Sequence, residues 1–240
     1  MALSSYKKSL LAFGSAIYLI TLAFLSPALA REQNEFPGRR VGGGSRGECA
    51  VDADAFVALN PANHLGITRQ DRPQLYFFVA ESTETYQVRL ELFESDEDNL
   101  IGEIRYETTL AVGAEQDLIE IQLPEDILEP GLYYPWQFVV LCDPGDPSRN
   151  IVLAGWISQD ATGEWDAIAP GLSVEEKLAQ AQLYQASGLW LDAIALSVDL
   201  IQSEPNLEVV QTQWLQLLRG LELDDVLNHT LAIQVLGDRP

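Results

Sequence analysis

The 240-residue sequence is poor in cations, cysteine and histidine, and each shortage argues against a class of function. It has 14 Lys and Arg against 36 Asp and Glu, a net charge of −22. Sequence-independent binding to DNA or RNA therefore lacks the cationic contacts to phosphates on which it depends. The same charge disfavours an anionic lipid surface. Because 47% of the residues are hydrophobic and 9% aromatic, we expect a folded, acidic, soluble protein rather than a disordered one.

The sequence also lacks the residue sets of common catalytic sites. His64 and His229 lie far apart, and no serine stands in a Gly-x-Ser-x-Gly motif, so a serine hydrolase has no support. Two histidines and two cysteines leave no zinc-binding set. We therefore expect no catalytic residue, no metal and no cofactor. The abundant acids keep one alternative open, an envelope glycan hydrolase, whose chemistry needs two carboxylates about 5–10 Å apart.

Long apolar runs are missing except near the start, where residues 1–30 have the three-part layout of a secretory signal peptide. Lys7 and Lys8 precede an apolar run from Leu10 to Leu25. Ala28-Leu29-Ala30 then fits a cleavage site. We expect cleavage after this site and a periplasmic or secreted protein. The alternative is that the segment is retained as a membrane anchor.

The two cysteines, Cys49 and Cys142, are an even pair in a chain that is predicted to be exported, which predicts one structural disulfide. The chain-entropy model assigns such a bridge about 4–5 kcal/mol. The alternative is a redox-active or nucleophilic thiol, although neither cysteine stands in a Cys-x-x-Cys motif.

Residues 31–48 are rich in Gly and Arg and have no periodicity, so they are predicted to form an arm ahead of the folded part. Successive glycines can turn amide groups inward, and arginines add positive charge, so the arm is a candidate site for an anion or a partner. It lacks the Lys-Ser/Thr ending of a P-loop, and the alternative is a flexible lead into Cys49. The candidate residues are Arg39, Arg40, Gly42, Gly43, Gly44 and Arg46.

Residues 49–160 alternate between apolar and polar positions in several short runs separated by turn residues, which predicts strand after strand without an intervening helix. This order favours an antiparallel, immunoglobulin-like β-sandwich. The predicted strands centre on Leu75–Val79, Tyr86–Leu92, Ile104–Thr108, Ile119–Leu123, Tyr134–Val140 and Ile151–Ile157.

One local pattern supports this fold, Leu128-x-Pro130-Gly131-x-x-Tyr134-x-Trp136. It is similar to the strand entry in such sandwiches where a tyrosine ties the strand to the preceding loop. Tyr134 and Trp136 are therefore predicted to be core residues.

Residues 170–240 are predicted to form about four helices, so the whole protein is expected to belong to the α+β class. Ser173 and Glu176 have the spacing of a capping box, and a second helix is expected from Trp190 to Ser203. The third and fourth carry apolar residues around Trp214 and Val226. We interpret this segment as a helical cap on the sandwich.

The first two helices resemble a single tetratricopeptide unit. Tyr184, Gly188, Ala193 and Pro205 match the aromatic, turn, small and terminating positions of that repeat, whereas Lys177 and Ser197 depart from it. One unit cannot build the concave groove with which arrays of such repeats bind peptides.

An acidic run and a histidine have simple structural interpretations. The acidic run Glu94–Asn99 offers oxygen ligands for calcium, but Leu100 breaks the EF-hand rule, and a solvated hairpin turn is the simpler interpretation. His64 is predicted to be a loop residue.

Several short fragments occur in order along most of the chain. They are Pro37-Gly38-Arg39-Arg40-Val41-Gly42-Gly43-Gly44-Ser45-Arg46-Gly47-x-Cys49, Leu59-x-Pro61, Leu65-Gly66-x-Thr68, Pro73, Tyr134-x-Trp136, Cys142-Asp143-Pro144, Gly155-Trp156-Ile157, Tyr184, Gly188 and Trp190-x-Asp192. In this order they resemble a cyanobacterial family, the domain of unknown function numbered 928 (DUF928). The resemblance implies an exported protein, often encoded near secretion, haemagglutinin-like or caspase-like repeat proteins. It transfers no catalytic residue, because that family has none assigned.

Together these features predict an exported, non-enzymatic interaction or accessory module of the cell envelope. Its expected partner is another envelope or secreted protein, with no nucleic acid and no transmembrane segment after signal cleavage.

Overall fold

The computed structural model describes residues 36–42, 49, 51–79, 85–95, 101–113, 117–143, 145–162 and 171–223. All of them belong to one compact unit, Asn34–Pro240. The predicted signal peptide and the predicted fourth helix lie outside the described residues.

The described residues form a mixed α+β fold with two sheets and three helices. The strands are Val57–Ala58 (β1), Leu65–Thr68 (β2), Gln74–Phe78 (β3), Tyr86–Ser95 (β4), Ile101–Val112 (β5), Leu118–Gln122 (β6), Tyr133–Leu141 (β7) and Ile151–Gln159 (β8). The helices are Val174–Ala186 (α1), Trp190–Ser203 (α2) and Glu208–Gly220 (α3).

One sheet has three strands in the order β1-β3-β6, and the other has five in the order β2-β8-β7-β4-β5. The alternation of apolar and polar residues along the strands determines which face of the sheet packs in the core. In β4 the side chains of Val88, Leu90 and Leu92 are all 0% exposed, while Gln87 before them is exposed and Arg89 between them is partly exposed. Successive side chains of a strand point to opposite faces, so the core lies on one face of this sheet.

One strand pair differs from the expected antiparallel arrangement. β2 runs parallel to β8, with Leu65 opposite Trp156 and Thr68 opposite Gln159. The expectation of an antiparallel sheet is therefore wrong for this pair, although the other named pairs are antiparallel. Parallel strands need a long crossover, and here the whole chain from β3 to β7 separates the two strands.

Aromatic contacts join the two sheets. Phe77 of β3 stacks on Phe138 of β7 with ring centroids 4.1 Å apart. It also meets Trp136 of β7 edge-on at 5.6 Å. Phe77, Trp136 and Phe138 are each at most 1% exposed, so these rings lie in the core between the sheets.

The first two helices follow the sequence prediction. Ser173 and Glu176 form the predicted capping box, with Ser173 N donating to Glu176 Oε2 at 2.8 Å and Glu176 N donating to Ser173 Oγ at 3.3 Å. α2 has the predicted bounds and is the most buried helix because apolar residues occupy most of its circumference. It packs against β2 and β3 as well as α1 and α3.

Residues 36–42, which we call the N-terminal strap, connect the two sheets through backbone hydrogen bonds. Arg39 exchanges two such bonds with Ala154 of β8, at 2.8 and 2.9 Å. Gly42 N donates to Phe56 O, and Ala58 N of β1 donates to Arg40 O. The described part of the predicted arm is thus fastened to the body of the protein.

Candidate functional site

The predicted disulfide is present. Cys49 and Cys142 are bonded, with their Cα atoms 5.1 Å apart, and the bond ties the segment before β1 to the end of β7. A groove of about 660 Å³ lies beside it, lined in part by Gln87, Arg89 and Asn150. Arg89 is neutralised there, because its Nε lies 2.9 Å from Glu91 Oε1.

Arg40 of the strap is committed to an internal contact. Its Nη1 donates to the carbonyl oxygens of Asn60, at 3.2 Å, and of Leu221, and its Nη2 donates to the carbonyl of Glu222 at 3.3 Å. The last two carbonyls follow α3, where the helix dipole presents its negative end. Burial holds the pKa of Arg40 below its usual range, and the nearby carboxylate of Glu222 opposes that shift.

The other predicted arm residues have different surroundings. Arg39 is exposed apart from its backbone bonds. A Cβ on Gly42 would overlap the carbonyl oxygen of Ala53, so this glycine allows two backbones to approach closely. Gly43, Gly44 and Arg46 lie outside the described residues. Binding of an anion or a partner by the arm stays a prediction.

A buried carboxylate, Asp192 at the start of α2, fastens the helices to the edge of the five-stranded sheet. Asp192 is 1% exposed, and both of its oxygens accept hydrogen bonds from the end of β2. Thr68 Oγ1 donates to Oδ1 at 2.6 Å, and Arg69 N donates to Oδ2 at 2.8 Å. Burial raises the pKa of Asp192 to about 6, although the bonds from Thr68 and Arg69 act to lower it. A carboxylate that is removed from water loses solvation of its charged form, which explains the direction.

A second carboxylate lies near this one. Arg69 Nε is 3.5 Å from Asp160 Oδ2, with the two side chains 11% and 14% exposed. The hydroxyl and backbone N–H of Thr162 donate to the two oxygens of Asp160, at 2.7 and 3.1 Å. Arg69 thus binds Asp192 through its backbone N–H and Asp160 through its guanidinium, but Asp192 is buried and does not reach the surface.

The close approach of α2 to β2 depends on a glycine. A Cβ on Gly66 would lie 2.8 Å from Leu191 Cγ and 2.9 Å from Asn60 Oδ1, so a larger residue would push the helix off the strand. On the strap side, Trp156 Nε1 donates to Pro37 O at 2.9 Å. Helix, strand and strap thus meet at one junction.

Asp192 appears in the sequence prediction only within the fragment Trp190-x-Asp192, without a role, and Arg69 does not appear at all. One signal was available, because Asp192 interrupts the apolar run Trp190–Ile194 near the start of a helix. A charged residue at a buried helical position requires a partner, and its partners lie more than a hundred residues earlier in the chain.

His64 and the acidic run Glu94–Asn99 complete the predicted candidates. His64 stands at the turn before β2 with a φ of 63°, and its backbone oxygen accepts a 2.8 Å bond from Asn60 Nδ2. Glu94 lies 3.3 Å from Arg105, and residues 96–99 fall outside the described part of the chain. Among the residues that the structure describes, no three His, Cys, Asp or Glu side chains are grouped to hold a metal.

An apolar row crosses the outer face of the five-stranded sheet, away from the core. It takes one residue from each strand, in sheet order Leu65, Trp156, Pro135, Phe93 and Ile104. Pro135 and Phe93 each lie one position beyond the last registered pair of β7 and β4, Trp136 with Leu92. At the β2 end the row is covered, because Phe36 of the strap packs on the Trp156 ring at 5.2 Å. There Leu65 and Trp156 are 8% and 1% exposed.

At the β5 end the same row is open to solvent. Ile104 and Ile101 of β5 are 51% and 56% exposed, and Tyr133 at the start of β7 is 38% exposed. In the described part of the chain no strand pairs with the outer side of β5. A long edge strand with exposed apolar side chains is a template for pairing with another chain.

Several of the fragments that resemble a known family meet around the junction. Trp156 Nε1 donates to Pro37 O, Thr68 Oγ1 donates to Asp192 Oδ1, and a Cβ added to Gly66 would meet Leu191. None of the helices in the described residues is long and apolar enough to cross a membrane. A search of curated proteins finds no significant match to the chain. The family model of the domain of unknown function DUF928 matches residues 41–231, and the chain belongs to this family.

Proposed function

We propose that the protein is an exported interaction module of the cell envelope, non-enzymatic, that binds another protein through the open edge of its five-stranded sheet. The observation that carries this proposal is the state of β5, a 12-residue strand whose Ile101 and Ile104 are more than half exposed. Such patches are typical of interaction surfaces in soluble proteins.

The disulfide supports the export part of the proposal. Structural disulfides persist in oxidising compartments, so a bonded Cys49–Cys142 pair agrees with the signal peptide expected from residues 1–30. Location in the periplasm or outside the cell follows from the same argument.

We further propose that the two sheets are an immunoglobulin-like sandwich that carries the helices as a cap. Tyr134 supports this reading, because its hydroxyl accepts a 3.1 Å bond from Glu129 N, as a tyrosine corner requires. The stacking of Phe77 on Phe138 supports it as well.

A capture experiment tests the function. The tagged full-length mature chain is incubated with an envelope extract, beside the variants Ile104→Glu and Val209→Glu. Val209 lies on α3 and is 49% exposed, so it is a matched control for Ile104 at 51%. We expect a specific partner with the parent chain and with Val209→Glu, and loss of that partner with Ile104→Glu. Absence of any specific partner with all three chains would overturn the proposal.

A further inference from the structure

The edge of β5 has the length and backbone to accept a complete additional strand. Its 12 residues make it about 40 Å long at the usual rise of a strand. From Tyr106 to Val112 it runs in register with β4, from Leu92 back to Tyr86, without a shift. Its outer row of backbone donors and acceptors is left without a strand partner in the described residues.

The irregular half of β5 shows how its charges are arranged. Register shifts lie opposite Phe93, and Arg105 stands at this bulge. Arg105 Nε donates to Ile127 O at 2.7 Å, and its guanidinium lies 5.3 Å from the centre of the Tyr134 ring. A bulge re-aims a side chain, and here it turns the cation of β5 towards the loop before β7.

Acidic side chains outnumber basic ones at this edge. Glu94 and Glu129 share the single cation Arg105, and Glu107 lies 3.9 Å from Arg89; the three glutamate side chains are 56%, 63% and 47% exposed. Glu103 is also exposed. A second copy of the chain would bring the same acidic edge and a net charge of −22, whereas a basic segment would be attracted.

The apolar row indicates which kind of side chain an added strand should carry on the outer face of the sheet. It runs from a covered end at Leu65 to an exposed end at Ile104, so it stops at the strand that lacks a neighbour. A strand added beside β5 would place an apolar side chain next to Ile104 and bury it. Backbone bonds then supply affinity and the alternating side chains supply specificity.

We propose that β5 binds an extended basic segment of a partner protein, which adds to the five-stranded sheet as a further strand and continues the apolar row beyond Ile104. This inference rests on the proposed function and names the chemistry of its partner. The partner segment alternates aliphatic residues, which face the row, with Lys or Arg, which face the carboxylate of Glu103 on the opposite side of the sheet.

The test uses the full-length mature protein and two short acetylated peptides as probes. In one, valine alternates with lysine, and in the other, valine alternates with glutamate. Affinity is measured by fluorescence anisotropy, and backbone contacts by amide hydrogen exchange with and without peptide. We expect the lysine peptide to bind, to slow exchange across Tyr106–Ala111, and to lose about tenfold in affinity in Ile104→Glu but not in Val209→Glu. The glutamate peptide should bind at least about tenfold more weakly at low salt.

The following results would overturn the inference. The first is no binding of the lysine peptide up to millimolar concentration, and the second is equal binding of both peptides. The third is a concentration-dependent dimer, seen by sedimentation, that Ile104→Glu abolishes, since this would assign the edge to a second copy. If an envelope partner is captured equally by Ile104→Glu and the parent chain, the interaction function stands and the β5 assignment fails.

Discussion

The two edge strands of the five-stranded sheet differ in length and in how far they are covered. β2 is four residues long and is covered by α2, by the strap and by the bonds from Thr68 and Arg69 to Asp192. β5 is 12 residues long, and its first four residues are all exposed. Unprotected edges favour aggregation, so proteins cover or shorten them unless they are used. This contrast supports β5 as the proposed binding edge and a structural role for the Asp192 junction.

We expect the largest loss of stability from removal of the disulfide. Replacing both Cys49 and Cys142 with alanine should lower the free energy of unfolding by about 4–5 kcal/mol, because the bridge closes a long loop in the unfolded chain. The residues are separated by 93 positions. Urea unfolding of the parent and the variant, each with and without reductant, measures the loss. A parent protein insensitive to reductant would contradict the expectation.

Protonation of Asp192 should raise the free energy of unfolding as the pH is lowered below neutrality. The pKa of Asp192 is about 6 when folded, against 3.8 as its usual value, so the folded state binds the proton more tightly. Between these values stability rises as the pH falls, by at most about 3 kcal/mol. Urea unfolding from pH 7 to pH 4 measures it, with Asp192→Asn as the control that lacks this titration. Parallel pH profiles for the two proteins would contradict the assignment.

Truncating the same side chain should loosen the junction. Asp192→Ala leaves the donors of Thr68 and Arg69 buried without an acceptor, but it also removes a charge whose burial is unfavourable. The free energy of unfolding should therefore fall by about 2 kcal/mol. Asp192→Asn keeps the shape and one acceptor, so it should stay within about 1 kcal/mol of the parent at neutral pH. Equilibrium denaturation distinguishes the two variants, and equal losses would show that the hydrogen bonds do not matter.

The strap offers a matched pair of arginines. Arg40→Ala removes the bonds to the carbonyls after α3 and should cost about 1–2 kcal/mol. Arg39→Ala keeps the backbone bonds to Ala154 and removes an exposed side chain, so it should change stability by less than about 0.5 kcal/mol. Thermal or urea unfolding gives the comparison. A larger loss for Arg39→Ala would contradict the role given to Arg40.

The open edge should be the most tolerant of change. Ile104→Glu should alter the free energy of unfolding by less than about 0.5 kcal/mol, because the side chain is 51% exposed. Val209→Glu should behave in the same way. Urea unfolding of both variants gives the measurement. A loss of several kcal/mol for Ile104→Glu alone would mean that this residue supports the fold rather than an interaction.

Much of the fold was predictable from sequence because its signals are local. The alternation in β4 and β7, the capping box at Ser173 and the apolar surface of α2 each depend on neighbours within a few residues. The disulfide was predictable because the chain has two cysteines. Tyr134 and Trp136 are buried, at 2% and 1% exposure, as the pattern around Pro130 predicted.

The rest depends on long-range pairing, which periodicity does not encode. β2 was missed because Leu65-Gly66-Ile67-Thr68 is short and finds its partner in β8, the last strand. The internal contacts of Arg40 could not be predicted, because the carbonyls that accept its bonds follow α3, far along the chain. The candidate binding edge was missed for the same reason, since only the strand order shows that β5 lies outermost.

Hydrogen exchange on the two edges, in one experiment, tests the central claim most directly. The protein is labelled alone and with the lysine peptide, and the amides of β2 and β5 are compared. The account predicts slow exchange in Leu65–Thr68 under both conditions, and fast exchange in β5 that slows when the peptide binds. Slowing in Leu65–Thr68 with no change in β5 would contradict it.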